Sequence, residues 1–162
     1  MAAYMKLGDI KGDVSNPDHK QWITIESVSA PIYRSIASGA RNQGRTQGET
    51  TLGDIVVVKQ LDQSSTKIQE ACAKGDFQKE VEIHLTTDVK GKEEPYLKYK
   101  LENAIISSYS FHGNSSGSPL PTEQVTLNFT KATWTYVVVN KDTGKKEGQV
   151  ETMYDKEQAK AG

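Results

Sequence analysis

Apolar and polar residues alternate with a period of two along most of this chain, the signature of half-buried β-strands. Trp22, Thr24, Glu26 and Val28 alternate with Ile23, Ile25, Ser27 and Ser29, and residues 4–10 form a shorter strand candidate before them. Residues 52–61 contain Ile55, Val56, Val57 and Val58 in succession, as in a strand covered on both faces and central to the fold. The period changes once. Thr66 and Gln69 stand at capping-box spacing, Ile68, Ala71 and Cys72 share a face, Glu70 and Lys74 form a four-residue ion pair, and Gly75 is a stop, which predicts a helix over 65–74.

From Phe77 the two-residue period returns. Phe77, Lys79, Val81, Ile83 and Leu85 oppose Gln78, Glu80, Glu82 and His84. A charged turn is expected over 90–95, after which Leu97, Tyr99 and Leu101 oppose Lys98, Lys100 and Glu102. Near Asn103 the register blurs as Ala104, Ile105 and Ile106 follow one another, which predicts a bulge or a bend between sheets. Val125, Leu127 and Phe129 alternate with Thr126 and Asn128, and the same strand is expected to continue through Trp134, Tyr136 and Val138. Residues 142–144 turn into a last segment over 150–154, and the polar tail 155–162 is expected to fray. Six or seven strands with one short helix predict an all-β fold, a two-sheet antiparallel β-barrel with one short flanking α-helix, in a single domain over 1–162. A flat two-layer sandwich is the alternative.

Composition narrows the functional classes. With 20 basic and 21 acidic side chains and a net charge of -1, the chain has no general field that tracks phosphates, which argues against nucleic-acid binding. The mean hydropathy of -0.62 indicates an extensive solvated surface. One cysteine, Cys72, excludes an internal disulfide and a cysteine-ligated zinc site. The first residues lack a basic segment followed by an apolar run, and no stretch is apolar enough to span a bilayer, so neither a secretory signal nor membrane insertion is expected.

Residues 38–49 form the one long stretch with no large apolar side chain, with glycines at Gly39, Gly44 and Gly48. The three arginines, Arg34, Arg41 and Arg45, lie in it or just before it. Such a loop is a working surface or a spacer. Gly39, Gly44, Arg45 and Thr46 imitate a phosphate-binding loop, but that loop must open a helix, and here a valine-rich strand follows. Gly113, Ser115 and Gly117 imitate a hydrolase nucleophile elbow, yet Pro119 and Pro121 follow where a helix must start. His19, His84 and His112 are scattered in the sequence without metal-ligand spacing, Cys72 lies on the core face of the helix, and Glu80 and Glu82 share a solvent face. Asn114 and Asn128 begin glycosylation sequons, which have no use without secretion through a signal. No enzyme and no cofactor is indicated. Arg41 and Arg45 are suited to bidentate pairing with carboxylates of another subunit.

The run from Ile55 through Lys59, Asp62, Ser65 and Thr66, followed by Ala71, Cys72 and Gly75, resembles the central signature of the Hcp family of type VI secretion tube proteins. Met5, Leu7, Gly8, Asp9 and Gly12 look like that family's first strand, and residues 101–109 with 125–129 like its paired late strands. The resemblance implies a β-barrel that closes into homohexameric rings with a wide channel. Stacked rings form a tube that is capped by a spike protein, propelled by a contractile sheath and able to carry effector proteins, so the chain is made in the cytoplasm and secreted. It places subunit and ring contacts in the extended loop, at Gly39, Arg41, Gln43, Gly44, Arg45, Gln47 and Gly48. Two departures stand out. Lys67 occupies the position where the family commonly has proline after the Ser/Thr pair, and the loop is richer in arginine and glutamine. Two rival readings are a monomeric β-barrel module for a glycan or small ligand, using Trp22, Trp134 and Tyr136, and a loop-based enzyme dependent on Ser115 or Arg45.

Overall fold

A computed structural model describes residues 1–37, 46–113, 115 and 120–162. Twelve strands and one α-helix are found among the described residues. In order they are β1 (Ala2–Leu7), a 3-10 turn (Pro17–His19), β2 (Ile23–Thr24), β3 (Ser27–Ser29), β4 (Ile32–Ala37), β5 (Thr46–Leu52), β6 (Ile55–Gln60) and α1 (Ser65–Lys74). β7 (Phe77–Val89), β8 (Lys92–His112), β9 (Thr122–Asn128), β10 (Lys131–Val139), β11 (Lys146–Asp155) and β12 (Lys160–Ala161) follow.

The long strand β8 organises the sheet. β7 pairs with it from Lys92 to Ile105, β10 pairs with its first half through Leu97–Glu102, and β9 pairs with its second half from Ile105 onward. The change of partner falls at Asn103, whose φ of 54° is left-handed, a conformation that asparagine tolerates better than most residues. The blurred register at 103–106 is therefore a bend where one strand passes between two partners.

From β8 one branch runs through β7 and β1 to β2, a second through β9 and β6 to β3, and a third through β10 and β11 to β12. Ladder pairing does not close these branches into a barrel, which corrects that part of the expected fold. The expected strand over 22–29 is split: β2 pairs with β1 and β3 with β6, because the chain changes partner at Ile25 and Glu26. Two other expected strands are also divided. Gly53 and Asp54 separate β5 from β6, and Phe129 and Thr130 separate β9 from β10. The charged turn is confined to Lys90 and Gly91, both with positive φ, and β8 begins at Lys92.

Inward residues of β1, β6, β7, β8 and β9 meet in one core, in which Met5, Leu7, Val57, Ile68, Val81, Ile83, Leu101, Val125 and Leu127 have no exposed surface. Only alternate positions of β6 are fully buried, while Val56 and Val58 are half-covered, so β6 is one-sided rather than covered on both faces. Helix α1 buries Ile68 and Ala71 against this core, and full burial of one such isoleucine contributes about 2–3 kcal/mol. Gly75 ends the helix in the left-handed region at φ 69°, its N–H and that of Asp76 closing onto the carbonyls of Cys72 and Ala71. The start of the helix differs from the capping box. Its cap position is Ser64, which makes no side-chain bond to the helix; Asp62 Oδ1 instead accepts the Ser64 N–H at 2.9 Å.

The tail is not frayed. β12 pairs with β11, and the Gly162 and Met153 backbones exchange hydrogen bonds of 2.8 and 3.0 Å, which ties residues 155–162 to the sheet.

Candidate assembly interface

Beside the main sheet stands a separate two-stranded arm, β4 with β5. The strands register Ile32 with Leu52, Tyr33 with Thr51 and Arg34 with Thr50, then shift at a bulge before Ile36 pairs with Gln47. Gly48 belongs to this bulge, because a Cβ there would fall on the Ser35 carbonyl and side chain. Arg34 Nη1 donates to the Gly48 carbonyl at 3.2 Å, which holds the two strands across the irregularity. Ile32, Tyr33 and Ile36 are 57%, 60% and 65% exposed. An isolated hairpin is marginal in water, and an edge carrying large apolar side chains is a surface that proteins cover.

A cleft of about 830 Å³ separates the arm from the tail, bordered by Arg34, Glu49, Asp54, Asn128, Tyr154 and Lys156. Burial pushes the Lys156 ammonium below its ordinary value, and its Nζ lies 4.1 Å from the centre of the Phe129 ring. The arm rises from the Ile55 end of β6. At the Gln60 end, which pairs with Thr122, a second group of exposed apolar residues comprises Leu61, Phe111 and Leu120. The six residues of β6 span about 20 Å, so the arm and this group lie at opposite ends of the wall. On β10 and β11, Tyr136 and Val150 form an exposed cross-strand pair.

The buried charges are structural. Lys59 Nζ lies 2.5 Å from Glu123 Oε2 and 2.9 Å from Asp62 Oδ1, and the Lys59 and Glu123 side chains have no exposed surface. Ser65 Oγ donates to Glu123 Oε2 at 2.8 Å, and Tyr109 OH donates to Glu123 Oε1 at 2.5 Å. Burial and the Glu123 carboxylate push the Tyr109 phenol up to about 12. This network ties the first turn of α1 to β6, β8 and β9, with the Lys59 and Glu123 charges sealed at its centre and Asp62 and Tyr109 at its partly exposed rim.

Among the residues assigned to the interface from sequence, Gly39, Arg41, Gln43, Gly44 and Arg45 lie outside the described residues. The Gln47 backbone pairs with Ile36, and Gly48 permits the close approach of β4 and β5. The aromatic residues of the rival ligand site are not brought together. Trp22 packs on His19 and His84, Trp134 borders a gap beside Pro31 and Leu52, and Tyr136 borders a separate groove beside Tyr96 and Lys141. His19 and His84, distant in sequence, are 2.9 Å apart through Nε2 and Nδ1, and Glu82 faces His84 rather than open solvent. The arm's exposed residues escaped the sequence reading, although Ile32 and Tyr33 side by side, followed by Ile36, already break the one-sided pattern of the core strands.

A family model described as the type VI secretion system effector Hcp matches residues 4–136. Protein hcp1 of Pseudomonas aeruginosa is 27% identical over 147 residues, which is 91% of this chain and 90% of that protein. The solved structure of a type six secretion system protein matches with a TM-score of 0.92 at 24% identity, covering 99% of both chains. Hcp1 from Salmonella typhimurium matches with a TM-score of 0.79 at 22% identity, covering 99% of this chain and 97% of its own. The family match runs from β1 into β10, through the elements that build the core, and this chain therefore belongs to the Hcp family of type VI secretion system effectors.

Proposed function

We propose that the chain is a structural subunit of the type VI secretion inner tube, assembling into hexameric rings that stack, rather than an enzyme. The observation that carries this reading is the β4–β5 arm, which presents Ile32, Tyr33 and Ile36 without cover from its own chain. Its distance from Leu61, Phe111 and Leu120, at the other end of β6, suits head-to-tail stacking. A contact between unlike surfaces repeats without limit along an axis, whereas a contact between like surfaces stops at a pair. Side-by-side closure of the ring would cover sheet edges. In this reading Gly39, Arg41, Gln43, Gly44, Arg45, Gln47 and Gly48 belong to the arm's contact with a neighbouring subunit or ring. The spike, the sheath and effectors carried in the channel are its partners, and the type VI machine exports it.

Paired charge reversal tests the arm. Arg41→Glu with Arg45→Glu, and separately Ile32→Asp with Ile36→Asp, are expected to leave the circular dichroism of the monomer unchanged and to reduce crosslinked rings or stacks at least tenfold. Undiminished crosslinking in both variants would refute the arm's role. The monomeric module predicts a saturable small ligand and the mass of one chain instead.

A further inference from the structure

Residues 11–22 cross the outer face of β1 and β7 as a flap. Met5 and Leu7 point into the core, so Tyr4 faces outward; on β7, Val81 and Ile83 point inward and Glu82 and His84 outward. Tyr4 and His84 are cross-strand partners. The 3-10 turn of the flap lays His19 over them, stacked on Tyr4 at 4.7 Å between ring centres and edge-on to His84 at 5.1 Å, with Trp22 against both imidazoles. His19 is only 2% exposed.

The partners fix the protons. Glu82 Oε2 lies 3.3 Å from His84 Nε2, so that nitrogen carries hydrogen. Neutral His84 then offers a bare Nδ1, and His19 Nε2, 2.9 Å away, must donate to it. Neutral His19 is left with a bare Nδ1, which is buried and has no partner among the described residues. A further proton is badly accommodated at either ring. On His84 Nδ1 it sets two donors against each other; on His19 Nδ1 it buries a cationic N–H without an acceptor.

We infer that residues 11–22 are a pH-operated flap, closed on the β1–β7 face while His19 is neutral and hydrogen-bonded to His84, and released when His19 takes up a proton. The charged and titratable groups facing the pair are Tyr4 and Lys6 on β1, Asp18 on the flap, Glu82 on β7, and Glu93 and Lys98 on β8. Burial, then the neighbouring His84, pushes His19 below the ordinary imidazole value, and Lys98 adds to this while Asp18 and Glu93 oppose it. The bond from His84 holds the Glu82 carboxyl at about 2, so Glu82 stays ionised throughout the working range. Freed from this burial, His19 takes up a proton more readily in the open form than in the closed form. The closed state is therefore favoured at higher pH and lost as pH falls, by up to about tenfold per pH unit for the proton that His19 takes up. The flap's other ties, Asn16 Nδ2 to Glu93 Oε2 at 3.0 Å and Gln63 Nε2 to the Gly12 carbonyl at 2.7 Å, do not involve the imidazoles.

Amide hydrogen exchange of the full chain between pH 8 and pH 5, corrected for intrinsic rates, tests the inference. The amides of Gly12, Val14, Gln21 and Trp22, which bond to carbonyls at residues 14–22, report the flap. Their protection is expected to fall by up to about tenfold per pH unit as the pH drops toward 5, with β7 and β8 unchanged. His19→Phe keeps an aromatic ring on Tyr4 and removes the titration, so its flap should stay protected at pH 5. His84→Gln, whose amide accepts from His19 and donates to Glu82, should retain the closed form with a shallower pH dependence and serves if the phenylalanine variant does not fold. Equal protection at pH 8 and pH 5 in the natural chain, or an undiminished pH dependence in a folded variant, would overturn the inference.

Discussion

Lys59 shows how one side chain sets local architecture. Its stem runs into the core beside Val57, and its ammonium meets Glu123, Asp62, Ser65 Oγ and the Gln60 carbonyl, so every charge in the pocket has a partner. Removing only the cation leaves Glu123 buried with no opposing charge. Lys59→Met is expected to destabilise the monomer by about 3–5 kcal/mol in urea unfolding. Adding Glu123→Gln should recover part of that loss, because the amide oxygen still accepts from Ser65 or Tyr109 while no fully buried charge remains; a double variant no more stable than Lys59→Met would contradict this account. The lysine's burial was not legible in the sequence. Within the valine run Lys59 occupies an inward position, but its counter-ion is 64 residues away and only the β6–β9 register brings it near.

Among the elements, those governed by local rules matched their sequence signals, and those governed by distant partners did not. Helix α1 ends at Gly75 because the left-handed turn needs no other part of the chain, and its bounds could be read residue by residue. The bend at Asn103 was legible for a similar reason, since three consecutive apolar residues cannot all face one side of a strand. Asn103→Gly should be nearly neutral, while Asn103→Val, β-branched at a positive φ, is expected to cost about 1–2 kcal/mol by thermal or urea unfolding. Equal stability of the two would show that the bend does not impose this backbone. The arm was hidden because Thr46–Leu52 is a strand whose only partner among the described residues is β4, so its residues show no core-facing alternation. The tail was misread for the opposite reason: polar residues 155–162 fold back through backbone bonds to β11, which composition does not register. The pairing of His19 with His84 likewise depends on how the flap crosses β7.

At the scale of the whole molecule, the described residues include three groups of exposed apolar side chains outside the core, besides single ones such as Phe77. These are Ile32, Tyr33 and Ile36 on the arm; Leu61, Phe111 and Leu120 at the far end of β6; and Tyr136 with Val150 on the β10–β11 face. Two of them lie at opposite ends of one wall and one lies along a sheet face, a distribution suited to a subunit with neighbours both along an axis and around it. Family membership agrees with this, and the near-neutral net charge of -1 lets copies approach without strong mutual repulsion. The most direct test of the central claim is the mass of the purified chain in solution, by light scattering across a range of concentrations. The account predicts a particle of six times the 17.9 kDa chain mass, or multiples of it; a particle of one chain mass at every concentration would contradict it.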